Sequence, residues 1–500
     1  MRLPVEQARG TVSAGSMRRW IGILLAVLLA LTALRQGWLI ARIWFDGENS
    51  PNESEELFAL SRVLAGQALY LDYSQPPHVI TPYMPLFYWT TETIAKTAKS
   101  WWEMVVLARW SAYVYWVGIG IAIFAAVRQM DCTRPAALLA ALLWESGELG
   151  CEWANSFRPD AAALFFSLTA LWVYQRRHTG INLAASTALL VVAALYKQTV
   201  LAPLAVIVWG EIADGRLGRA VAATAAWSAA IAAVGLTTQV MTGGRFMLNA
   251  FSAPAEVRAW SWAWVLLVTA LATGAAAFWG AILACVGIAR QPGSTLWKRY
   301  FVISLALAFA RSRILGTWTN HYLEPFAAGC VLTGVLVQDL LALRPDDVVR
   351  WGRFCWLAAA VGLSVALSFE QGWRIFRSLR DDTPWKQFVA RFRDFNGPVL
   401  AEDSYVTVRS GRTPYMIDAN KFAHMQRDGM FDDTELLRGI EKGEFAAIIT
   451  RFPIDASMRP AWTFPARWLA PMRRRYQLSA TYTLSGRDET LYLYAPEGIR

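Results

Sequence analysis

The sequence predicts an α-helical polytopic membrane protein of about eleven transmembrane helices, ending in a small α/β soluble domain outside the cytoplasm. Three observations predict it. The 500 residues are 55% hydrophobic and only 17% charged, against about 25% charged in an ordinary soluble domain. The apolar residues fall in blocks between positions 20 and 369, and beyond position 370 the chain reads as soluble protein. Lys and Arg recur at every second junction between blocks, as the positive-inside rule requires.

A hydrocarbon core needs roughly 17–25 apolar residues per helix. The candidate spans are 20–43, 104–127, 135–144, 161–174, 181–196, 199–209, 221–241, 260–288, 300–315, 322–343 and 354–369. Those at 135–144 and 199–209 are short and must borrow flanking residues. With the N-terminus in the cytoplasm, the inner segments hold Arg2, Arg9, Arg18 and Arg19, then Arg128 and Arg134, Arg176 and Arg177, and Arg216 and Arg219. The last two hold Arg290, Lys298 and Arg299, then Arg344, Arg350 and Arg353. An odd number of spans places the C-terminus outside. The first block is longer than the apolar stretch of a signal peptide and reads as a retained span. Arg35 within it needs a polar neighbour or a place near the interface.

Residues 1–370 are thus expected to form the membrane domain and 371–500 the extracytoplasmic one. A first outer loop at 46–102 is too long for a connector. It is punctuated by Gln75-Pro76-Pro77-His78 and Pro82-Tyr83-Met84-Pro85, around short amphipathic stretches suited to the membrane surface. In the tail, strands are expected at 398–401 and 445–450. Asp432-Asp433-Thr434-Glu435 begins a helix with acids at its positive end. Segments 476–484 and 490–494 form a hairpin around Gly486-Arg487-Asp488.

The net charge of +10 is dispersed over short loops, with no basic stripe interleaved with aromatics, so no nucleic-acid partner is expected. Cys132, Cys151, Cys285, Cys330 and Cys355 show no paired spacing and read as buried, inert thiols. Four histidines without Cys or His at ligand spacing argue against a zinc site. No internal repeat supports a transporter built from inverted halves.

Ionisable residues at a membrane edge are costly and mark candidate sites. The outer edge gathers Glu53, Glu55 and Glu56 after the first span, and Glu145, Glu148, Glu152, Arg158 and Asp160 between the third and fourth. Lys197 stands in the turn after the fifth span, against the positive-inside pattern. Arg245 and Arg258 flank the seventh and eighth, and Arg311, Arg313, His321 and Glu324 surround the turn after the ninth. Cations suit a departing lipid phosphate, and a carboxylate suits deprotonation of an acceptor hydroxyl. Simpler readings exist for single members: Asp160 as a helix cap, His321 as an interfacial anchor, any other as a solvated loop charge.

Residues 52–73, NESEELFALSRVLAGQALYLDY, resemble the first outer loop of GT-C glycosyltransferases of the protein O-mannosyltransferase and lipid A aminoarabinose transferase type. Gly66, Tyr70 and Asp72 match the Gly-x-x-x-Tyr-x-Asp ending of that loop. Phe157-Arg158-Pro159-Asp160, Tyr196-Lys197-Gln198-Thr199 and Asn320-His321-Tyr322-Leu323-Glu324 resemble three further segments of the bacterial branch, in the same order.

The resemblance implies inverting transfer of a sugar from a polyprenyl-phosphate donor to an envelope lipid, glycan or protein at the outer face of the cytoplasmic membrane. It implies Glu53 as the leading base, with Glu55, Glu56 or Asp46 if the register slips. Asn52 stands where the family has the first acid of its Asp-Glu pair, and an amide cannot act as a base. Asp160 is expected to assist the acceptor or the loop. Arg158, Lys197, Gln198, His321 and Glu324 are expected to bind substrate or lipid phosphate. No cofactor and no metal ligand is assigned, and a divalent ion is left open. The competing readings are a carrier or flippase for a lipid-linked or small polar substrate, and a catalytically silent membrane scaffold.

Overall fold

The structure is a computed structural model that describes residues 5–497, apart from 51, 151–152, 253–259, 289–290, 292, 315–316, 343–351, 353, 357, 364–365, 368, 371–372, 374–382, 394, 403, 457–462 and 485–488. Glu152, Arg258, Cys151, Arg290, Arg344, Arg350, Arg353 and the 486–488 turn therefore lie outside the described residues.

The apolar blocks fold as helices: α1 (Val5–Ile43), α4 (Trp101–Gln129), α5 (Arg134–Ser146), α6 (Asp160–Arg176), α7 (Gly180–Tyr196), α8 (Ala202–Ala213), α9 (Leu217–Met241), α11 (Trp260–Thr273), α12 (Ala275–Leu283), α13 (Ser294–Ser312) and α14 (Leu323–Ala342). The connecting segments supply α2 (Glu53–Leu64), α3 (Pro85–Ala95) and the one-turn α10 (Arg245–Met247). Among the described residues, four helices are long and apolar enough to cross a membrane: Arg19–Ile43, Trp101–Gln129, Leu217–Met241 and Thr319–Ala342. The block at 260–288, expected as one span, is broken by a 92° bend between α11 and α12. Gly274 occupies the break, and a Cβ there would sit 2.7 Å from the Phe278 ring and 3.0 Å from that of Phe326. A helix corner this tight needs glycine at the point of ring contact.

Local chemistry sets the helix starts. Ser100 caps α4 by accepting the Glu103 N–H at 3.2 Å, while the Glu103 carboxylate accepts from Lys99 N at 2.6 Å, a reciprocal arrangement of the capping-box kind. Thr179 caps α7 through Asn182 N at 3.2 Å. Pro85 opens α3, where its missing N–H costs nothing. Gly66, singled out by its motif, follows α2 at φ +71°, the left-handed turn that ends a helix.

Helices α4, α5, α6, α12, α13 and α14 surround a common core. Small residues let the backbones approach: a Cβ on Gly329 would meet the Ala277 carbonyl at 2.7 Å, and one on Gly334 the Ala140 methyl at 2.9 Å. Trp116 stacks on Trp144 with centroids 4.1 Å apart. Arg35 finds the polar neighbour it requires, donating to the Ser146 carbonyl at 2.7 Å. Cys132 and Cys330 are buried, but Cys285 is half-buried and Cys355 exposed. The uniform burial expected of the thiols does not hold.

The tail folds around a four-stranded sheet of β1 (Val399–Ala401), β2 (Ala447–Thr450), β3 (Tyr476–Leu484) and β4 (Glu489–Pro496), in the order β1-β2-β4-β3. β1 and β2 run parallel, and β4 is antiparallel to β2 and β3. Around it lie α15 (Thr383–Arg393), α16 (Ser404–Arg409), α17 (Ala419–Arg427), α18 (Thr434–Lys442) and α19 (Ala466–Arg475). The strands, the helix after Asp433 and the hairpin occur where alternation and turn residues place them.

The sheet does not stand apart from the bundle. Leu57 and Leu60 of α2, Phe87 and Tyr88 of α3 and Val105 of α4 share one buried core with Phe388, Tyr405, Ile449 and Leu491. Arg409 grips Asp46 at 2.5 and 2.9 Å. Ser54 and Ser404 meet Oγ to Oγ at 2.9 Å. His78 exchanges backbone bonds with the 415–417 strip, its N–H to Tyr415 O and its carbonyl from Ile417 N, each at 2.9 Å. The first loop is thus the bearing surface between bundle and sheet.

Candidate active site

The first turn of α2 carries three buried carboxylates with three different fates. Glu53 Oε1 accepts from Arg109 Nε at 3.0 Å and Phe157 N at 2.8 Å. Its Oε2 accepts from Arg109 Nη2 and Asn49 N, both at 2.7 Å. Arg109 spends its other donors on the carbonyls of Ile43, Phe45 and Gly47. Burial would raise the Glu53 carboxyl, but the Arg109 charge and these bonds outweigh it and hold the group below the usual carboxylate range. With both oxygens doubly occupied, Glu53 has no lone pair facing a substrate. Its place differs from the one expected of a base: it ties α1, α4 and the Phe157 strip to α2.

Glu56 accepts a hydrogen bond from Tyr88 on Oε2, and Arg158 Nη1 lies 3.7 Å from Oε1. Burial pushes its carboxyl up to about 7 despite Arg158. Glu55 is 5% exposed, and its Oε1 has no hydrogen-bond partner. Burial, reinforced by Asp418 and Glu56 and opposed by Lys421 and Arg158, pushes it up to about 8. Glu56 Oε1 likewise has no hydrogen-bond partner but has Arg158 close by, so Glu55 is the least engaged of the three.

Asn52 holds φ +61°, a left-handed conformation that Asn tolerates better than most residues. Its amide points to Asp418 Oδ2 at 3.5 Å, while Arg158 Nη1 reaches its carbonyl at 3.4 Å. Arg158 also lies over the Tyr83 ring, 5.3 Å from its centroid.

A second group starts two residues beyond Arg158. Lys197 Nζ lies 2.5 Å from Asp160 Oδ1, which also accepts from Asn320 Nδ2 at 2.9 Å. Asp160 begins α6, but its side chain caps no N–H there, so the helix-cap reading fails. Asp160, Lys197, Thr199, Arg311, Asn320, His321 and Glu324 line a small, partly open cavity of about 30 Å³. Tyr300 donates to Glu324 Oε2 at 3.2 Å, and Arg311 donates to the Thr199 carbonyl. His321 faces this cavity.

Gln198 is elsewhere. Its Nε2 bonds the carbonyls of Pro82 at 2.7 Å and Ala250 at 3.1 Å, stapling the first loop to the 248–252 turn, while its Oε1 has no hydrogen-bond partner and it does not line the Lys197 cavity. Glu145 turns into the bundle, accepting from Gln36 Nε2 at 2.7 Å. Among the described residues, no group of three or more His, Cys, Asp or Glu side chains converges as a metal site. The sequence reading missed Arg109, whose only signal was a cation inside an apolar block. It also missed Tyr88 and Lys421, which no local pattern marks.

The chain superposes on ArnT from Cupriavidus metallidurans in the apo state with a TM-score of 0.60, over 96% of this chain and 98% of that one, at 12% identity. On the same protein bound to undecaprenyl phosphate the TM-score is 0.57, over 95% and 98%, again at 12% identity. This is the GT-C fold. A third GT-C structure, the oligosaccharyltransferase AglB from Archaeoglobus fulgidus in complex with an inhibitory peptide and a dolichol-phosphate, matches with a TM-score of 0.54 at 12% identity, over 96% of this chain and 74% of that one. No protein-family model and no curated protein sequence matches the chain. The likeness at this identity is one of fold, and the roles of GT-C side chains here rest on the geometry above.

Proposed function

We propose that the protein transfers a sugar from a polyprenyl-phosphate donor to a hydroxyl of an envelope lipid, glycan or protein, with inversion, at the outer face of the cytoplasmic membrane. The observations that carry this reading are Glu55, buried with Oε1 unpartnered on a turn where Glu56 meets Arg158 at 3.7 Å, and a cavity lined by Lys197, Arg311 and Asp160, of which Asp160 stands two residues along the chain from Arg158. The GT-C fold supports it, because two of the matching structures hold undecaprenyl phosphate and a dolichol-phosphate.

In this reading Glu55 is the base, taking the role first expected of Glu53. It removes the proton from the acceptor hydroxyl as that oxygen attacks the anomeric carbon. The bond from that carbon to the phosphate oxygen breaks, and the polyprenyl phosphate leaves with the electron pair. Lys197, Arg311 and Arg158 meet the developing negative charge. Asp160 and Asn320 aim the Lys197 ammonium, and His321 and Glu324 shape the cavity wall. The shorter apolar helices complete a bundle of eleven spans, with the N-terminus cytoplasmic and residues 371–500 on the outer side with the first loop.

Membranes containing the protein should consume a polyprenyl-phosphate sugar. Glu55→Gln and Lys197→Ala should each lower that turnover at least about 100-fold. Full turnover in both variants would overturn the site assignment, and substrate uptake without covalent product would point to a carrier.

A further inference from the structure

Thr81, Pro82 and Tyr83 form a strip of the first loop in which each backbone is held by a side chain from a different segment. Thr81 N donates to Asn249 Oδ1 at 2.9 Å, and the Pro82 carbonyl accepts from Gln198 Nε2 at 2.7 Å. The Tyr83 carbonyl accepts from the Tyr70 hydroxyl at 2.8 Å. Tyr70 is itself buried in a cluster with Met84, Phe246 and Ala250, its ring edge-on to Phe246 with centroids 5.2 Å apart. Backbone groups tied in this way cannot shift without losing their bonds, so the strip delivers the Tyr83 ring to one place.

That ring carries Arg158. The guanidinium carbon stands 5.3 Å from the ring centroid, within the reach of attraction between a cation and an aromatic face. From there Nη1 meets the Asn52 carbonyl at 3.4 Å and lies 3.7 Å from Glu56 Oε1. The ring is braced in turn. Phe87 lies edge-on to it at 6.1 Å and stacks at 4.4 Å on Phe157, the residue before Arg158.

We propose that Tyr83 is a positioning residue that acts through Arg158, and that Tyr70 of the Gly-x-x-x-Tyr-x-Asp motif sets Tyr83 in place. The proposal rests on the reading of Arg158 as one of the cations that meet the leaving phosphate.

An arginine free to sample its rotamers gives up side-chain entropy whenever it meets a charge. One already held against a ring meets that charge without rearrangement. The Asn52 and Glu56 contacts act on Nη1, and the ring acts on the guanidinium face. The motif thereby gains a physical use. Gly66 turns the chain after α2, and Asp72 makes the next turn by accepting from Ser74 N at 3.0 Å and Ser74 Oγ at 2.7 Å. Tyr70, between those turns, reaches Tyr83. The three motif residues shape a strip whose product is a ring beneath a cation.

The test runs on the full-length protein in detergent with two readouts. Phenylglyoxal, which modifies guanidinium groups, reports the freedom of Arg158 through mass spectrometry of its peptide, with Arg311 as the internal reference. Consumption of a polyprenyl-phosphate sugar reports the reaction. Tyr83→Leu should raise Arg158 labelling at least about threefold and lower kcat about tenfold, with KM for the donor changed less than about threefold. Tyr83→Phe keeps the ring and should restore both readouts to near wild type. Tyr70→Phe should move both in the direction of Tyr83→Leu, by less. Unchanged Arg158 labelling in Tyr83→Leu, an equal rise at Arg311, or a Tyr83→Phe variant as impaired as Tyr83→Leu would each overturn the proposal. If labelling follows the ring while Arg158→Ala leaves sugar transfer intact, the positioning stands and the reading of Arg158 as a phosphate cation falls.

Discussion

Arg109 and Glu53 form a two-pronged ion pair, Nε to Oε1 at 3.0 Å and Nη2 to Oε2 at 2.7 Å, with neither side chain exposed to solvent. Removing one partner of a buried pair leaves the other charge uncompensated, at a cost of about 3–5 kcal/mol. Arg109→Leu and Glu53→Gln should each destabilise the protein by about that much in thermal or denaturant unfolding in detergent. The double variant should lose clearly less than the sum. Additive losses would mean that the two residues do not act as a unit.

Stability should depend on pH in two opposing ways. Glu53 has a folded-state pKa below 4.5, so its contribution is complete above that value and is lost as the pH falls further. Glu55 and Glu56 have folded-state pKa values raised to about 8 and about 7. Between 4.5 and 8 the folded state binds more protons at these positions than the unfolded chain, so stability declines as the pH rises. Glu55→Gln removes the penalty of the buried charge and should raise the melting temperature at pH 8.5 while leaving it nearly unchanged at pH 5. An unchanged melting temperature at pH 8.5 would contradict the burial of an ionising Glu55.

Transfer should follow the opposite trend. A base works as the carboxylate, so the rate should fall below pH 8 in step with protonation of Glu55. A rate that stayed flat down to pH 5.5, measured as donor consumption, would exclude Glu55 as the base.

Gln198→Ala separates a staple from a ligand. Losing its two hydrogen bonds should cost about 1–3 kcal/mol of stability, with donor consumption reduced less than about tenfold. A phosphate ligand would instead show the 100-fold loss expected of Lys197→Ala with little change in stability.

Asn52→Asp tests the departure from the family pattern. The new carboxylate would face Asp418 Oδ2 across the 3.5 Å contact, two like charges in place of a donor and an acceptor. Stability should fall by about 1 kcal/mol, and turnover should not rise. A gain in turnover would show that the family's acid still has a working place at this position.

Much of the helical fold could be read from the sequence, because long apolar blocks report directly on burial. The bend at Gly274 could not, since it depends on Phe326 closing against a helix distant in sequence. The site was legible in part. Asp160, Lys197, His321 and Glu324 come together from three separate segments, while Arg158 lies against Glu56. Glu53 and Glu55 are two residues apart with the same side chain, and Arg109, distant in the chain, binds only the first, so spacing alone does not separate the two acids. Gln198 shares a turn with Lys197 but leaves it on the other side, a matter of loop geometry that no motif encodes.

The central claim is best tested by mass spectrometry of lipid carriers and envelope glycans from cells making wild type or Glu55→Gln at matched levels. The account expects cells with Glu55→Gln to accumulate a polyprenyl-phosphate sugar and lack the glycosylated envelope product, as cells without the gene do. Wild-type levels of carrier and product with Glu55→Gln would contradict it.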